Sequence, residues 1–156
     1  MTTARSLLAQ LRDINRGSFT PVEIDAHEKI LKDVVRAIYP VDAIACVCHE
    51  ANATYCGHTP EAWVRKPERW GNLDDHTRES TISGVIDVIL DRASTPEMAH
   101  ARWMEFKAND GWTCGDTFDL NAKIHPCMKP YAELHEAHRR KDILFRAIVG
   151  AFLVPA

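Results

Sequence analysis

Apolar residues recur at helical spacing along most of this chain. Leu7, Leu8, Leu11 and Ile14 predict a short amphipathic helix over 4–14, stopped at Gly17. Thr20-Pro21-Val22-Glu23 reads as a helix start: the Thr hydroxyl can cap, Pro suits the first helical position and Glu can reach back. The helix it opens, 21–38, places Ile24, His27, Leu31, Val34, Val35 and Ile38 on one face. Pro40 forbids its continuation, since proline lacks an N–H and clashes with the preceding turn. These two helices are expected to form a hairpin ahead of the main body.

Asp42 is placed to cap a third helix, 42–56, with Gly57 as its stop. His49, Asn52, Tyr55 and Cys56 share one face of it. A Pro- and Trp-bearing segment, 58–75, leads to the clearest helix, 76–92, where Ile82, Val85, Ile86, Ile89 and Leu90 follow the i, i+3, i+4, i+7, i+8 pattern. Thr95-Pro96-Glu97 repeats the cap-then-proline start and opens 96–109, ended at Gly111. Trp112 to Cys114 suits a brief strand, and the two-proline stretch 119–134 suits an ordered loop. The last helix, 136–153, is expected to turn Ile143, Leu144, Ala147, Ile148, Ala151 and Phe152 inward.

The spacing also repeats. His49 and Tyr55 match His100 and Phe106, and Lys66-Pro67 before Trp70, Leu73, Arg78 and Ile82 echoes Lys129-Pro130 before Tyr131, Leu134, Arg139 and Ile143. Each half then reads helix, Pro/aromatic loop, helix, and two such halves packed about a pseudo-two-fold axis leave a groove between them. The expected fold is mainly α: pseudo-two-fold halves with a short β element, preceded by the N-terminal helical hairpin. Residues 1–39 form the extension and 40–154 the domain.

A length of 156 residues suits one domain with a core. The net charge is −3 and the cations are scattered, which disfavours a nucleic-acid partner. No apolar run reaches the roughly 20 residues of a membrane helix, and the N-terminus carries no signal-peptide pattern, so no membrane partner and a cytoplasmic location are expected. The five cysteines, an odd number, are expected to be reduced thiols.

Cys46, Cys48, His49, Cys56, His125 and Cys127 are all zinc-ligand types, but residues two apart on a helix point to opposite sides and no Cys-x-x-Cys knuckle exists, so no metal is expected. His49-Glu50 lacks the second histidine of a metalloprotease helix, that position being Ala53. A Cys127 thiol activated by His125 or His49 would need an open cleft; the bland alternative is a loop pinned by His125 around a core Cys127. A binding pocket needs only an aromatic lining and a few polar groups. Trp63, Trp70, Trp112 and Tyr131 in the loops, with His49, Asn52, Arg78 and Lys107 on nearby helices, supply both. An aromatic face can stack a base, Asn can pair with an amide-like edge, and Arg or Lys can answer a phosphate. Trp103 and Trp112 are equally readable as core.

From Trp103 onward, with His100 just ahead of it, the chain resembles the ryanodine receptor repeat, the RyR domain. The residues that carry the resemblance are His100-x-x-Trp103-x-x-x-Lys107, Gly111-Trp112-x-x-Gly115, Lys123-x-His125-Pro126-Cys127-x-x-Pro130-Tyr131-x-x-Leu134 and Asp142-Ile143-x-Phe145-Arg146-Ala147. Upstream, Cys48 to Asn52, Tyr55-Cys56, Trp70 and Arg78-Glu79-Ser80-x-Ile82-x-Gly84-Val85 look like short prokaryotic and phage members, extending the resemblance over about 41–153. Cys114 replaces the aromatic usual after Gly-Trp, and Ala132-Glu133 stands where an acidic pair is common.

The resemblance implies a ligand-receiving module with no catalytic activity and no cofactor, for a small, nucleotide-derived molecule. A phage copy would sequester a signalling nucleotide of its host. The expected ligand-binding residues are His49, Asn52, Tyr55, Trp63, Trp70, Arg78, Lys107, Trp112, His125 and Tyr131. The alternative is a protein–protein interaction module or a homo-oligomer formed through the N-terminal helices.

Overall fold

The structure, a computed structural model, describes residues 20–60, 64–92 and 94–153. The helix expected over 4–14, and with it the hairpin partner and the oligomer surface, lies outside the described residues. Among those described, five helices form: α1 (Pro21–Ile38), α2 (Val41–His58), α3 (Asp75–Leu90), α4 (Pro96–Asn109) and α5 (Glu136–Phe152). Short 3-10 turns, Trp70–Asn72 and Tyr131–Glu133, precede α3 and α5, and β1 (Thr113–Cys114) pairs with β2 (Ile124–His125). The protein is mainly α, and no described helix is long and apolar enough to cross a membrane.

Local chemistry sets most of the boundaries. Thr20 and Glu23 form the expected reciprocal cap, with Glu23 Oε2 accepting from Thr20 N at 2.8 Å and Pro21 at the first position of α1. Asp74 caps α3 by accepting from Thr77 N at 2.8 Å, and Thr95 caps α4 by accepting from Met98 N at 3.3 Å. α2 departs from expectation at both ends. Pro40, not Asp42, occupies its N-cap, leaving Asp42 in the first turn where a negative charge suits the helix dipole. It also runs through Gly57, because glycine is merely permissive and the Thr59 N–H still finds Tyr55 O at 3.0 Å.

The aliphatic core joins α1, α2, α3 and the end of α5: Leu31 and Val35, then Ile44, Ala45 and Cys48, then Ile82, Val85, Ile86 and Ile89, with Val149 and Leu153. The face expected of α1 is therefore built into the main body. That of α5 is as expected only in part, at Ile148. Phe145, Ile148 and Val149 turn inward, while Ile143 and Phe152 are 54% and 45% exposed and Ala147 and Ala151 also face out. The cause is the contact with α2, whose Tyr55 hydroxyl donates to Ala137 O at 3.1 Å and whose Cys48 thiol points at Phe145 O. Ile143 lies two residues, roughly 200° around the helix, from Phe145 and so faces water.

The stretch 119–134 is more than a loop. Asp119 Oδ1 accepts from Asn121 N and Ala122 N, both at 2.9 Å, turning the chain so that Ile124 and His125 pair in parallel with Thr113 and Cys114. Gly111, at φ +83°, makes the bend from α4 into β1.

The repeat is real in three dimensions. One half is α2, the Trp70 turn and α3; the other is α4, the β pair, the Tyr131 turn and α5. Tyr55, six residues after His49, reaches Ala137 at the start of α5, while Phe106, six after His100, stacks on His76 at the start of α3 with ring centroids 5.5 Å apart. His76 and Ala137 each lie six residues after the aromatic that opens their turn. Each half thus grips the other through the same positions, as a two-fold interface requires.

Candidate functional site

Each half is closed by a histidine latch. His49, buried on α2, meets Glu68 O through Nε2 at 2.7 Å and lies 5.7 Å from the Trp70 ring. His100, buried on α4, meets Lys129 O through Nε2 at 3.0 Å and lies 5.8 Å from the Tyr131 ring. In both, the carbonyl belongs to the residue two before the aromatic, so the histidine fixes where the 3-10 turn begins.

Beyond the second latch the surface opens into a cleft of about 320 Å³. Cys114, Gly115 and Asp116 form one wall, Pro126 and Lys129 a second, and His135 and His138 of the α5 start a third. Gly115 is required here because a Cβ would collide with the Ile124 side chain. His135 caps α5, its Nδ1 accepting from Ala137 N at 3.2 Å.

Beside the cleft, His125 is ringed by Trp103, Phe118 and Trp112 at 5.0, 5.6 and 6.2 Å, all near-perpendicular. Its Nδ1 accepts from Cys127 N at 3.0 Å, which leaves the proton on Nε2, where no described acceptor meets it. Burial, then the charges of Lys141 and Lys107, push His125 down to about 3, so it is neutral at ordinary pH. Lys107 sits over the Trp112 ring at 4.8 Å and Arg65 over the Phe118 ring at 4.2 Å. The Lys141 charge acts on Cys56 of α2 as well as on His125, Cys127, His138 and Asp142, and Lys141 makes no hydrogen bond or ion pair with any described residue.

Burial pushes His138 down to about 4 and the Cys127 thiol up to about 11. Cys48 is pushed up to about 12 for the same reason, and Cys56 is also raised. These three are buried protonated thiols; Cys114, on the cleft wall, is exposed. Behind the cleft, Asp142 is raised to about 7 by burial, and its Oδ2 stands 3.6 Å from His100 Nδ1 without a hydrogen bond. Among the described residues no three His, Cys, Asp or Glu side chains gather as metal ligands.

The latch, the Gly111-Trp112 bend and the β pair fall in the part of the chain that matches a known family, the RyR domain, over residues 76–145. This segment is an RyR domain. No solved structure matches the chain. The RyR match starts one residue into α3 and ends inside α5, so α2 and the first latch lie ahead of it. Most residues that carried the resemblance are structural: His100 latches, Trp103 and Trp112 enclose His125, and Trp112 Nε1 donates to Asp110 Oδ2 at 3.0 Å.

The expected ligand-binding residues divide into two groups that the structure keeps apart. In the first half, His49 and Trp70 form the latch, and Arg78 donates to Trp70 O and Gly71 O at 3.4 and 3.1 Å, tying the turn to α3. Asn52 Oδ1 is the acceptor for the Cys56 thiol, and Tyr55 is engaged with Ala137. In the second half, Lys107, Trp112 and His125 come together around Phe118, and Tyr131 packs on His100. Trp63 lies outside the described residues. None of the nine described members lines the cleft, whose residues lie outside that set. A signal was present: His135, His138 and Lys141 recur every three residues along one side of α5.

Proposed function

We propose that this chain is a binding module for a small, nucleotide-derived anion, received in the second half and released unchanged. The observation that carries the reading is a wall of cations and rings: Lys129, His135 and His138 line the cleft, and Lys107 and Arg65 sit over the Trp112 and Phe118 rings that surround a neutral His125 with an N–H ready to donate. Such a wall suits a ligand with a planar group and negative charge. The absence of turnover is supported by the chemistry of the nearest buried nucleophile, since Cys127 remains a thiol at neutral pH. Five free cysteines suit a reducing, cytoplasmic setting. A second reading, as a protein–protein interaction module, is favoured by the outward apolar line Ile143, Ala147 and Ala151 on α5.

Isothermal titration with a panel of mononucleotides and cyclic nucleotides tests the first reading. The expected result is saturable binding of at least one of them at micromolar concentration, weakened by salt, with the nucleotide recovered intact by chromatography. No binding across the panel, with self-association relieved by Ile143→Glu, would transfer the argument to the second reading.

A further inference from the structure

The repeat supplies a counterpart for each α5-side residue of the site. One constant shift carries Trp70 onto Tyr131, Leu73 onto Leu134 and the capping residue Asp74 onto His135. The same shift carries Glu68 onto Lys129, and both carbonyls are the latch acceptors, so the correspondence is geometric as well as numerical. It also carries Thr77 onto His138 and Ser80 onto Lys141. At four equivalent places the first half therefore presents Glu68, Asp74, Thr77 and Ser80, where the second presents Lys129, His135, His138 and Lys141.

The chemistry of the two sets is opposed. Glu68 and Asp74 would repel an anion, and both Asp74 oxygens are already engaged, accepting from Thr77 N and Thr77 Oγ1 at 2.8 Å each. The second set offers cationic and imidazole groups. The connection between helix and turn differs as well: residues 110–130 span almost twice the length of 59–69 and contain the β pair that builds the far wall from Cys114, Gly115, Asp116 and Pro126. The wall and the charge reversal occur together in one half.

We infer that the chain holds one anion per molecule, not two, and that the phosphate or pyrophosphate group of its ligand is received by Lys129, His135 and His138, with Lys141 behind them. This inference rests on the binding reading above and adds the chemical class of the group that docks and the reason the symmetric position is closed. The ligand is a phosphorylated small molecule, held first by its charge.

The repeat itself designs the test. Lys129→Glu, His135→Asp and His138→Thr give the second half the residues that the first half carries in the same backbone frame, and Asp is a good helix cap, so the triple variant is expected to fold. Folding is checked by circular dichroism and melting. The probe is inorganic pyrophosphate, titrated by calorimetry and by ³¹P line broadening. The parent is expected to bind one equivalent, and the triple variant to lose at least about tenfold in affinity. Lys129→Gln alone, which removes one charge and leaves both helix caps intact, is expected to lose at least about threefold, and it decides the matter if the triple variant does not fold. Pyrophosphate that fails to bind the parent, binds two equivalents, or binds the variants as well as the parent overturns the inference. If nucleotides bind under those conditions, the binding module stands while its phosphate site is lost. If pyrophosphate binds as expected and no nucleotide does, the anion site stands and the nucleotide reading falls.

Discussion

His100→Ala is expected to destabilise the protein by about 3 kcal/mol and to lower its melting temperature by roughly 6–12 °C. Two losses add. Lys129 O forfeits its 3.0 Å hydrogen bond inside the fold, worth about 1–3 kcal/mol when a partner is left unsatisfied, and the ring contacts with Trp103 and Tyr131 contribute about 1 kcal/mol more. His49→Ala removes the same bond in the first half and is expected to cost a comparable amount. Their effects on ligand should differ, because only His100 positions Lys129 on the cleft wall. Arg140→Ala is the control: its pair with Glu136 is exposed on both sides and is worth less than about 1 kcal/mol. Equal melting of His100→Ala and Arg140→Ala would remove the latch from the account.

Asp142→Asn is expected to melt above the parent at pH 8 and level with it near pH 4. In the unfolded chain the carboxyl ionises at its ordinary 3.8, whereas in the fold burial keeps its proton to about pH 7, helped by Glu97 and opposed by Lys141. Between those values the folded state holds a proton that the unfolded state releases. The parent therefore loses stability as pH rises through this window, and the full penalty applies above it. Asparagine has the shape of the protonated acid and carries no such penalty. About a third of the Asp142 side chain still reaches water, which reduces the gain to about 2–4 kcal/mol. His125 and His138 act in the opposite sense. Neutral in the fold down to about 3 and 4, they take up protons near 6.5 when unfolded, so stability falls as pH drops below 6.5. With the opposing carboxyl removed, the variant's stability should rise more steeply than the parent's between pH 4 and 7. A gap that is constant with pH, or a variant weaker at pH 8, contradicts the assignment.

What could be read in the sequence follows the range of the interactions involved. The start of α1 was legible in full, since Thr20, Pro21 and Glu23 act on one another within a single turn. The buried face of α3 was legible because Ile82, Val85, Ile86 and Ile89 meet an aliphatic core on one side only. The face of α5 was legible only at Ile148, because the contact with α2 turns Phe145 and Val149 inward and leaves Ile143 exposed beside the partly buried Lys141 and Asp142, against the rule that apolar residues face in. The pairing of Thr113 and Cys114 with Ile124 and His125 depends on a turn made by Asp119, and a two-residue parallel strand leaves no periodicity to detect. The repeat was visible in its histidines and aromatics, which are the residues that perform the same task twice. The cleft was hidden for the converse reason: its residues are those in which the two halves differ, drawn from three separate segments.

The second half, and not the first, is proposed to receive a phosphorylated small molecule. A two-dimensional NMR titration of the labelled protein with the tightest-binding nucleotide separates the two halves. Amide and imidazole signals of Cys114, Gly115, Lys129, His135 and His138 are expected to shift together and saturate at one equivalent, while those of His49, Trp70 and Arg78 stay in place. Saturating shifts at His49, Trp70 and Arg78 with the α5 start unmoved would contradict it.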